Sequence, residues 1–163
     1  MSEAWLNFII VVFLQFLFFI IHAWYVKKFS DVPRTLGWGI LIGIGVGLFS
    51  DLVLGKFFGL WSYTLGFGAL PLILSATFVY GLLAANTLLM QRSQLSHFFV
   101  WTIIATAVYE ISNHFFHVWT YKFVFPPTIF LLIGYFGTVI VIATISHIFL
   151  GRRFFFIDNL LKK

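Results

Sequence analysis

Five long apolar runs divide this chain, and they constrain its fold more than any other feature of the sequence. They cover residues 5–26, 36–55, 68–90, 95–116 and 127–150. A run of about 20 apolar residues can cross the hydrocarbon core of a bilayer as an α-helix, whereas membrane β-strands alternate in polarity over about 10 residues. Helices also satisfy their own backbone hydrogen bonds, which lipid cannot do. The sequence therefore predicts an all-α, polytopic bundle of five transmembrane helices, with residues 1–163 forming a single membrane domain.

The composition excludes a water-soluble globular protein. Hydrophobic residues make up 61% of the chain and charged residues only 9%, compared with about 25% charged residues in soluble domains. The surroundings of such a surface, and its first partners, are membrane lipids. There is no cysteine, which rules out disulfides and thiolate chemistry. The first apolar run follows Met1-Ser2-Glu3 without the basic segment of a signal peptide, so we expect it to be a retained span.

The distribution of positive charge predicts the orientation of the five spans. Eight of the ten lysine and arginine residues fall on the side shared by the first connector, the third connector and the C-terminus. Only Lys56 and Lys122 fall on the other side. Because cytoplasmic connectors carry the excess of lysine and arginine, the N-terminus is expected outside and the C-terminus in the cytoplasm of a multi-pass cell-membrane protein. Residues 151–163 are predicted to form an amphipathic tail at the cytoplasmic surface.

A short motif occurs twice and suggests an internal repeat. Residues 57–63 and residues 115–121 both read F-F-x-x-W-x-Y, and each copy follows an acidic residue, Asp51 or Glu110. The second and fourth spans run in the same direction, so a duplication would relate two helical hairpins by an axis along the membrane normal, as parallel repeats. The alternative is an aromatic belt at the membrane interface, where tryptophan and tyrosine are enriched.

Asp51 and Glu110 are the only acidic residues inside the predicted spans. Placing an ionisable group in hydrocarbon costs roughly 2.5–3.5 kcal/mol on insertion scales, so such groups usually face a cavity or a partner. Both acids are therefore candidate catalytic residues. The alternative is a structural role, in which each carboxylate reaches the interface or pairs with Lys56 or Lys122.

Polar residues follow Glu110 along one side of the fourth span. Glu110, His114 and His117 are spaced i, i+4 and i+7, and Asn113 lies beside them. A carboxylate and imidazoles on one stripe can relay protons or contribute to a zinc site, but the pattern is too short for us to predict a metal. The candidate ligand-binding residues are Trp61, Tyr63, Asn113, His114, His117, Trp119 and Tyr121. The other histidines, His22, His97 and His147, are expected at the cytoplasmic interface.

Several functional classes lack their signatures. There is no phosphate-binding glycine loop, nucleophile elbow or HExxH segment, and the basic residues flank spans rather than form a nucleic-acid-binding patch. No cofactor is implied, and no nucleic acid is expected as a partner.

The order of these motifs resembles a family of small uncharacterised membrane proteins of spore-forming Bacillota. The residues that carry the resemblance are Asp51, Leu60-Trp61-Ser62-Tyr63, Glu110 and Trp119-Thr120-Tyr121. The resemblance covers most of the chain and implies no activity.

The chain also resembles lycopene cyclase domains, in which small multi-span repeats place an acid before a W-x-Y-like turn. Those domains have a proline followed closely by paired acids in the next span. Here Pro71 is followed by Leu72-Ile73-Leu74-Ser75, so the expected catalytic carboxylates of the cyclase are missing.

Three hypotheses about function follow from the sequence. The first is a polar pocket near the outer leaflet that binds a lipid or isoprenoid, with Asp51 and Glu110 at its centre. The sequence does not decide whether such a protein is an enzyme; if it is, a carboxylic acid would protonate an alkene. The second is a proton-linked transporter or transporter subunit that uses Glu110 and His114. The third is a non-catalytic scaffold that binds a second copy or another membrane protein through Gly39, Gly43 and Gly47, which share one helical stripe.

Overall fold

Five helices, each long and apolar enough to cross a membrane, make up most of the protein. The computed structural model describes residues 2–91, 94–122, 127–151, 154 and 157, and for residues 127–130 it describes only the backbone. The helices are α1 (Glu3–Tyr25), α2 (Phe29–Phe57), α3 (Ala69–Leu89), α4 (Leu95–Phe116) and α5 (Pro127–Leu150). The prediction of five apolar helices is confirmed, and these helices indicate a membrane protein.

Helices α2 and α3 form the tightest contact in the bundle, and the glycine stripe of α2 makes it possible. A Cβ atom added at Gly39 would lie 2.7 Å from the Cβ of Ala85, and one added at Gly47 would lie 2.7 Å from the Cα of Ala76. One added at Gly43 would overlap the backbone of Gly81. The glycine stripe, which the scaffold hypothesis assigns to a partner, therefore packs within the chain, against α3.

Both helices of this pair include π-helical turns near the same end. Ser50–Phe57 at the end of α2 and Ser75–Tyr80 in α3 are wound as π-helix, with wider turns closed by i→i+5 hydrogen bonds. A π-helical turn holds more residues than an α-helical turn and so rotates the side chains that follow it; such turns are frequent at functional sites. Asp51 lies in the first of these segments and Tyr80 in the second.

Two short strands, which the sequence analysis did not predict, join the segments after α2 and α4. Strands β1 (Trp61–Tyr63) and β2 (Trp119–Tyr121) pair in antiparallel register, with Ser62 opposite Thr120. Two further backbone hydrogen bonds extend the ladder, from Thr64 N–H to Val118 O at 2.9 Å and from Lys122 N–H to Leu60 O at 3.0 Å. The strands place the two W-x-Y motifs side by side.

At the other end of the bundle, α1 packs against α3 and α4 through buried aromatic and polar side chains. The His22 ring lies parallel to the Trp101 ring with 4.0 Å between centroids, and it is only 1% exposed. His22, expected near the cytoplasmic interface, is thus buried within the bundle, because its helix turns this side chain toward Trp101. His97 and His147 are half-buried.

Two of the predicted features include residues that the structure does not describe. Of the predicted tail, residues 152–153, 155–156 and 158–163 lie outside the described residues. Phe154 and Ile157 are buried and belong to a cluster with Leu88 and Ala143. The middle of the connector before α4, residues 92–93, also lies outside the described part of the chain.

Candidate functional site

Asp51 accepts three hydrogen bonds on one carboxyl oxygen. Tyr63 donates to Oδ1 at 2.9 Å, while Trp61 Nε1 and the Tyr80 hydroxyl group each lie 3.3 Å from the same atom. The Tyr63 oxygen also lies 2.7 Å from Ser75 Oγ. Asp51 is fully buried, and its Oδ2 has no hydrogen-bond partner among the described residues. Donors from β1 and α3 thus converge on a buried acid of α2.

The local backbone brings Trp61 close enough to reach this acid. The π-helical end of α2 leads into β1 through Gly59, which adopts a positive φ of 66° that glycine tolerates readily. A Cβ at Gly55 would lie 2.8 Å from Trp61 Nε1. The absence of a side chain at Gly55 therefore lets the indole ring lie over the helix end.

Glu110 has a similar set of partners one hairpin later in the chain. Tyr121 of β2 donates to Glu110 Oε1 at 2.7 Å, and Tyr135 of α5 donates to the same atom at 2.9 Å. Trp119 Nε1 in turn donates to the Tyr121 hydroxyl oxygen at 2.9 Å. Each acid is thus held by a tyrosine from the nearby strand and a tyrosine from the following helix.

Both strand tyrosines remain protonated hydrogen-bond donors at neutral pH. Burial raises the pKa of Tyr63 well above its ordinary value, and the nearby Asp51 carboxyl group acts in the same direction. Burial likewise raises the pKa of Tyr121, and the negative charge of Glu110 adds to this effect. A buried phenol next to a carboxylate resists ionisation because the phenolate would be both desolvated and repelled.

A cavity of about 260 Å³ lies between the two acid clusters. The lining contains aromatic donors from both clusters and aliphatic side chains from α2, α3 and α5. The aromatic members are Trp61, Tyr63, Tyr80, Tyr109, Trp119, Tyr121 and Tyr135. Neither carboxyl group is among the described lining residues, so each acid meets the cavity through its donors. Leu54 and Gly134 line the cavity and are also exposed, so the cavity is open at one edge.

A second cavity, between α2 and α5, differs in chemistry. It measures about 400 Å³ and is lined by Gly45 and by apolar side chains such as Leu41, Val141 and Phe149. Such a groove between helices suits a lipid acyl chain and offers no titratable side chain among the described residues that line it.

The remaining predicted site residues serve other purposes in the structure. Asn113 donates from Nδ2 to Trp119 O at 2.9 Å and accepts from Trp119 N–H at 2.8 Å, so its amide pairs with the strand backbone. His114 and His117 are exposed. His117 ends α4 in the left-handed conformation, with φ of 49°. These three residues surround the base of β2 and do not line the cavity.

Sequence reasoning missed two tyrosines that complete the clusters. Tyr80 and Tyr135 follow Asp51 and Glu110 by 29 and 25 residues and come from the next helix in each case. A comparison of the two hairpins residue by residue would have indicated them, because each hairpin has one tyrosine in the second helix at a similar distance from the acid.

The structure also bears on metal binding. Among the described residues, no three histidine, aspartate or glutamate side chains lie close enough together to hold a metal ion. The His114 and His117 rings are 6.4 Å apart, between centroids, on the exposed side of α4.

Comparisons of the chain with protein-family models, with curated proteins and with solved structures give no match.

Proposed function

We propose that this protein binds one end of a lipid or isoprenoid molecule in the cavity between Asp51 and Glu110. The observation that carries the proposal is the lining itself, because seven aromatic residues with polar hydrogen atoms surround a space that is open at one edge. Ligand pockets in proteins typically combine an apolar lining with a few convergent polar groups. Here the polar groups are the phenol oxygens, which donate to the acids or to the backbone and keep lone pairs that can accept from a ligand.

The size of the cavity limits what enters it. At ~30 Å³ for each water molecule, it has room for about nine waters or a polar group of similar size. A whole lipid does not fit, so the remainder of the ligand must extend past Leu54 and Gly134 into the surrounding lipid. This arrangement favours an amphiphile with a small polar end, such as an isoprenoid alcohol or a lipid head group.

The geometry of the strands supports the proposed duplication of the two hairpins. A two-fold rotation that exchanges Ser62 with Thr120 also exchanges Trp61 with Trp119 and Tyr63 with Tyr121, so the register matches the two copies of the motif. The same rotation converts the Thr64 N–H to Val118 O bond into the Lys122 N–H to Leu60 O bond. In our proposal, α2–α3 and α4–α5 are parallel repeats, and the ligand lies near the axis between two related acids.

We further infer that the cavity faces the outer leaflet of the cell membrane. The support is the charge distribution, because the connectors at the opposite end of the bundle contain most of the lysine and arginine. Lys28 lies at that opposite end, where its Nζ donates to Leu89 O at 2.9 Å. An outer-leaflet ligand would then enter from the side, between the end of α2 and α5.

A bulky residue placed in the cavity provides a direct test. Gly134 lines the open edge of the cavity and a Cβ there would meet nothing within 4 Å, so Gly134→Phe adds a bulky ring at this edge without displacing backbone atoms. Gly137→Phe is the matched control, because Gly137 lies on the same exposed helix, also has free space, and is not among the lining residues. Protein purified in mild detergent is extracted, and its bound lipids are identified by mass spectrometry.

We expect one lipid class to be enriched in the wild-type protein and in Gly137→Phe, and lost in Gly134→Phe. Glu110→Gln and Asp51→Asn keep the shape of the site while changing its hydrogen-bonding, so they should weaken retention of the same lipid class. Equal lipid profiles in all of these proteins would refute a specific ligand in this cavity.

A further inference from the structure

Three buried polar side chains on α1 and α3 take no part in the two acid clusters. Gln15 and His22 of α1 are 0% and 1% exposed, and Asn86 of α3 is 2% exposed. Helix α4 packs on the same side of α1 and contributes Trp101, whose ring stacks on His22. Buried polar groups need hydrogen-bond partners, and the hydrogen bonds of this group are incomplete.

The hydrogen bonds of Asn86 determine which nitrogen of His22 holds the proton. Asn86 Nδ2 donates to Leu82 O at 3.0 Å, which leaves Oδ1, an acceptor, facing His22 Nδ1 at 3.0 Å. His22 Nδ1 must therefore be protonated. In a neutral imidazole the other nitrogen is then an acceptor with a free lone pair. That atom, His22 Nε2, is buried and has no partner among the described residues.

Gln15 lacks more hydrogen bonds than His22, since neither its amide nitrogen nor its amide oxygen has a partner in the described part of the chain. Leaving a buried polar group unpaired costs about 1–3 kcal/mol, so two such atoms on a fully buried side chain are expensive. A single kind of ligand satisfies all three atoms. Water donates to His22 Nε2 and to the Gln15 oxygen, and it accepts from the Gln15 nitrogen.

A stripe of polar residues on α4 extends from the depth of His22 toward the cavity. Thr102, Thr106 and Tyr109 are spaced i, i+4 and i+7, and all three are buried. The threonine hydroxyl groups donate to backbone oxygens of Phe98 and Thr102, which leaves their oxygen lone pairs free to accept. Tyr109 is itself one of the residues that line the cavity.

We propose that a file of bound water molecules lies between α1, α3 and α4 and connects the His22 level with the cavity. Gln15 and His22 Nε2 anchor the file, and the hydroxyl oxygens of α4 continue it. Half-buried His97, whose ring centroid lies 5.8 Å from that of His22, is the step toward the membrane surface. The water file stands on these contacts alone; its role in supplying water or protons to a bound ligand rests on the proposed function.

Hydroxyl-radical footprinting tests the file directly. X-ray pulses convert bound water into radicals that oxidise adjacent side chains, and mass spectrometry locates the oxidised residues. Phe18 and Phe19 lie on α1 between Gln15 and His22 and are 7% and 0% exposed. With the protein in lipid nanodiscs, a water file predicts clear oxidation of both residues, whereas a dry interface predicts almost none.

Substitutions identify the groups that hold the water. Gln15→Leu and His22→Phe should lower the oxidation of Phe18 and Phe19 severalfold, while the control Asn7→Leu, on the half-buried part of α1, should leave it unchanged. Wild-type protein without oxidation at Phe18 and Phe19 would overturn the proposal, whatever the variants do. This outcome does not depend on ligand retention in the cavity.

Discussion

Tyr135 donates a 2.9 Å hydrogen bond to Oε1 of Glu110 and thereby joins α5 to α4 along one side of the cavity. Tyr80 joins α3 to α2 in the same way through Asp51, at 3.3 Å. In both hairpins the acid is thus a cross-link between two helices as well as a candidate binding group. Changes to either tyrosine should affect both the stability of the bundle and its affinity for a ligand.

Removing the hydroxyl group of Tyr135 separates these contributions. Tyr135→Phe keeps the ring that faces Tyr109 at 5.8 Å and deletes only the hydrogen bond to Glu110. We expect the free energy of unfolding to fall by about 0.5–1.5 kcal/mol, the usual net contribution of one hydrogen bond. Denaturant unfolding in micelles measures this change. Tyr25→Phe, at a 61% exposed position, is the control and should change it little.

Asn113 should prove to be a structural residue. Asn113→Leu preserves the size of the side chain but removes both hydrogen bonds to the Trp119 backbone. Because Trp119 is buried, its N–H group and its carbonyl oxygen would be left unpaired, and we expect a loss of about 2–4 kcal/mol in unfolding free energy. Thermal unfolding followed by tryptophan fluorescence reports the loss. His114→Leu, at an exposed neighbour, should have almost no effect; equal effects of the two changes would contradict this assignment.

The glycines of α2 should fall into two classes. Gly43→Ala forces a methyl group into the backbone of Gly81, so we expect severe destabilisation and poor yield of folded protein. Gly45→Ala, two residues away, has free space and should stabilise the helix by roughly 0.5–1 kcal/mol. Melting temperatures of the purified proteins distinguish the two. Normal folding of Gly43→Ala with loss only of self-association would instead favour the scaffold hypothesis.

The buried tyrosines of the strands predict a loss of stability in alkaline solution. Burial raises the pKa of Tyr63 and Tyr121 above the value of 10.0 that they have in an unfolded chain. Above pH 10 the unfolded state therefore releases protons that the folded state retains. The stabilisation from this difference is complete below pH 10 and is lost as the pH rises beyond it.

Unfolding midpoints measured between pH 8 and about pH 11 test whether stability falls as the pH rises. The double variant Tyr63→Phe, Tyr121→Phe should be less stable than wild type at pH 8, but its stability should decline less steeply above pH 10. Parallel declines in the two proteins would show that other groups dominate the alkaline response.

The bounds of the helices could be predicted closely because they follow from apolar length. The fourth predicted span, 95–116, coincides with α4, and the first differs from α1 by two residues at its start and one at its end. The second span was placed too short. Its helix begins at Phe29 and continues through π-helical turns to Phe57. Nothing in the apolar pattern indicates a change from α-helix to π-helix.

The candidate site was predicted in part. The sequence order placed a tryptophan and a tyrosine shortly after each acid, and the structure brings Trp61 and Tyr63 onto Asp51. Which helix faces which could not be predicted, and this is why Tyr80 and Tyr135 were missed. The three-dimensional packing of α1 also decided the position of His22, since an interfacial histidine and a buried one have the same spacing in the sequence.

The pairing of β1 with β2 has a consequence for how the site responds to an occupant. Tyr63 donates to Asp51 and lies opposite Trp119 in the strand pair. Two residues after Trp119, Tyr121 donates to Glu110. A molecule that displaces one strand must therefore shift the other, and the disturbance reaches both carboxyl groups. We therefore expect a ligand of the proposed site to bind in a single step and not to fill two independent half-sites in turn.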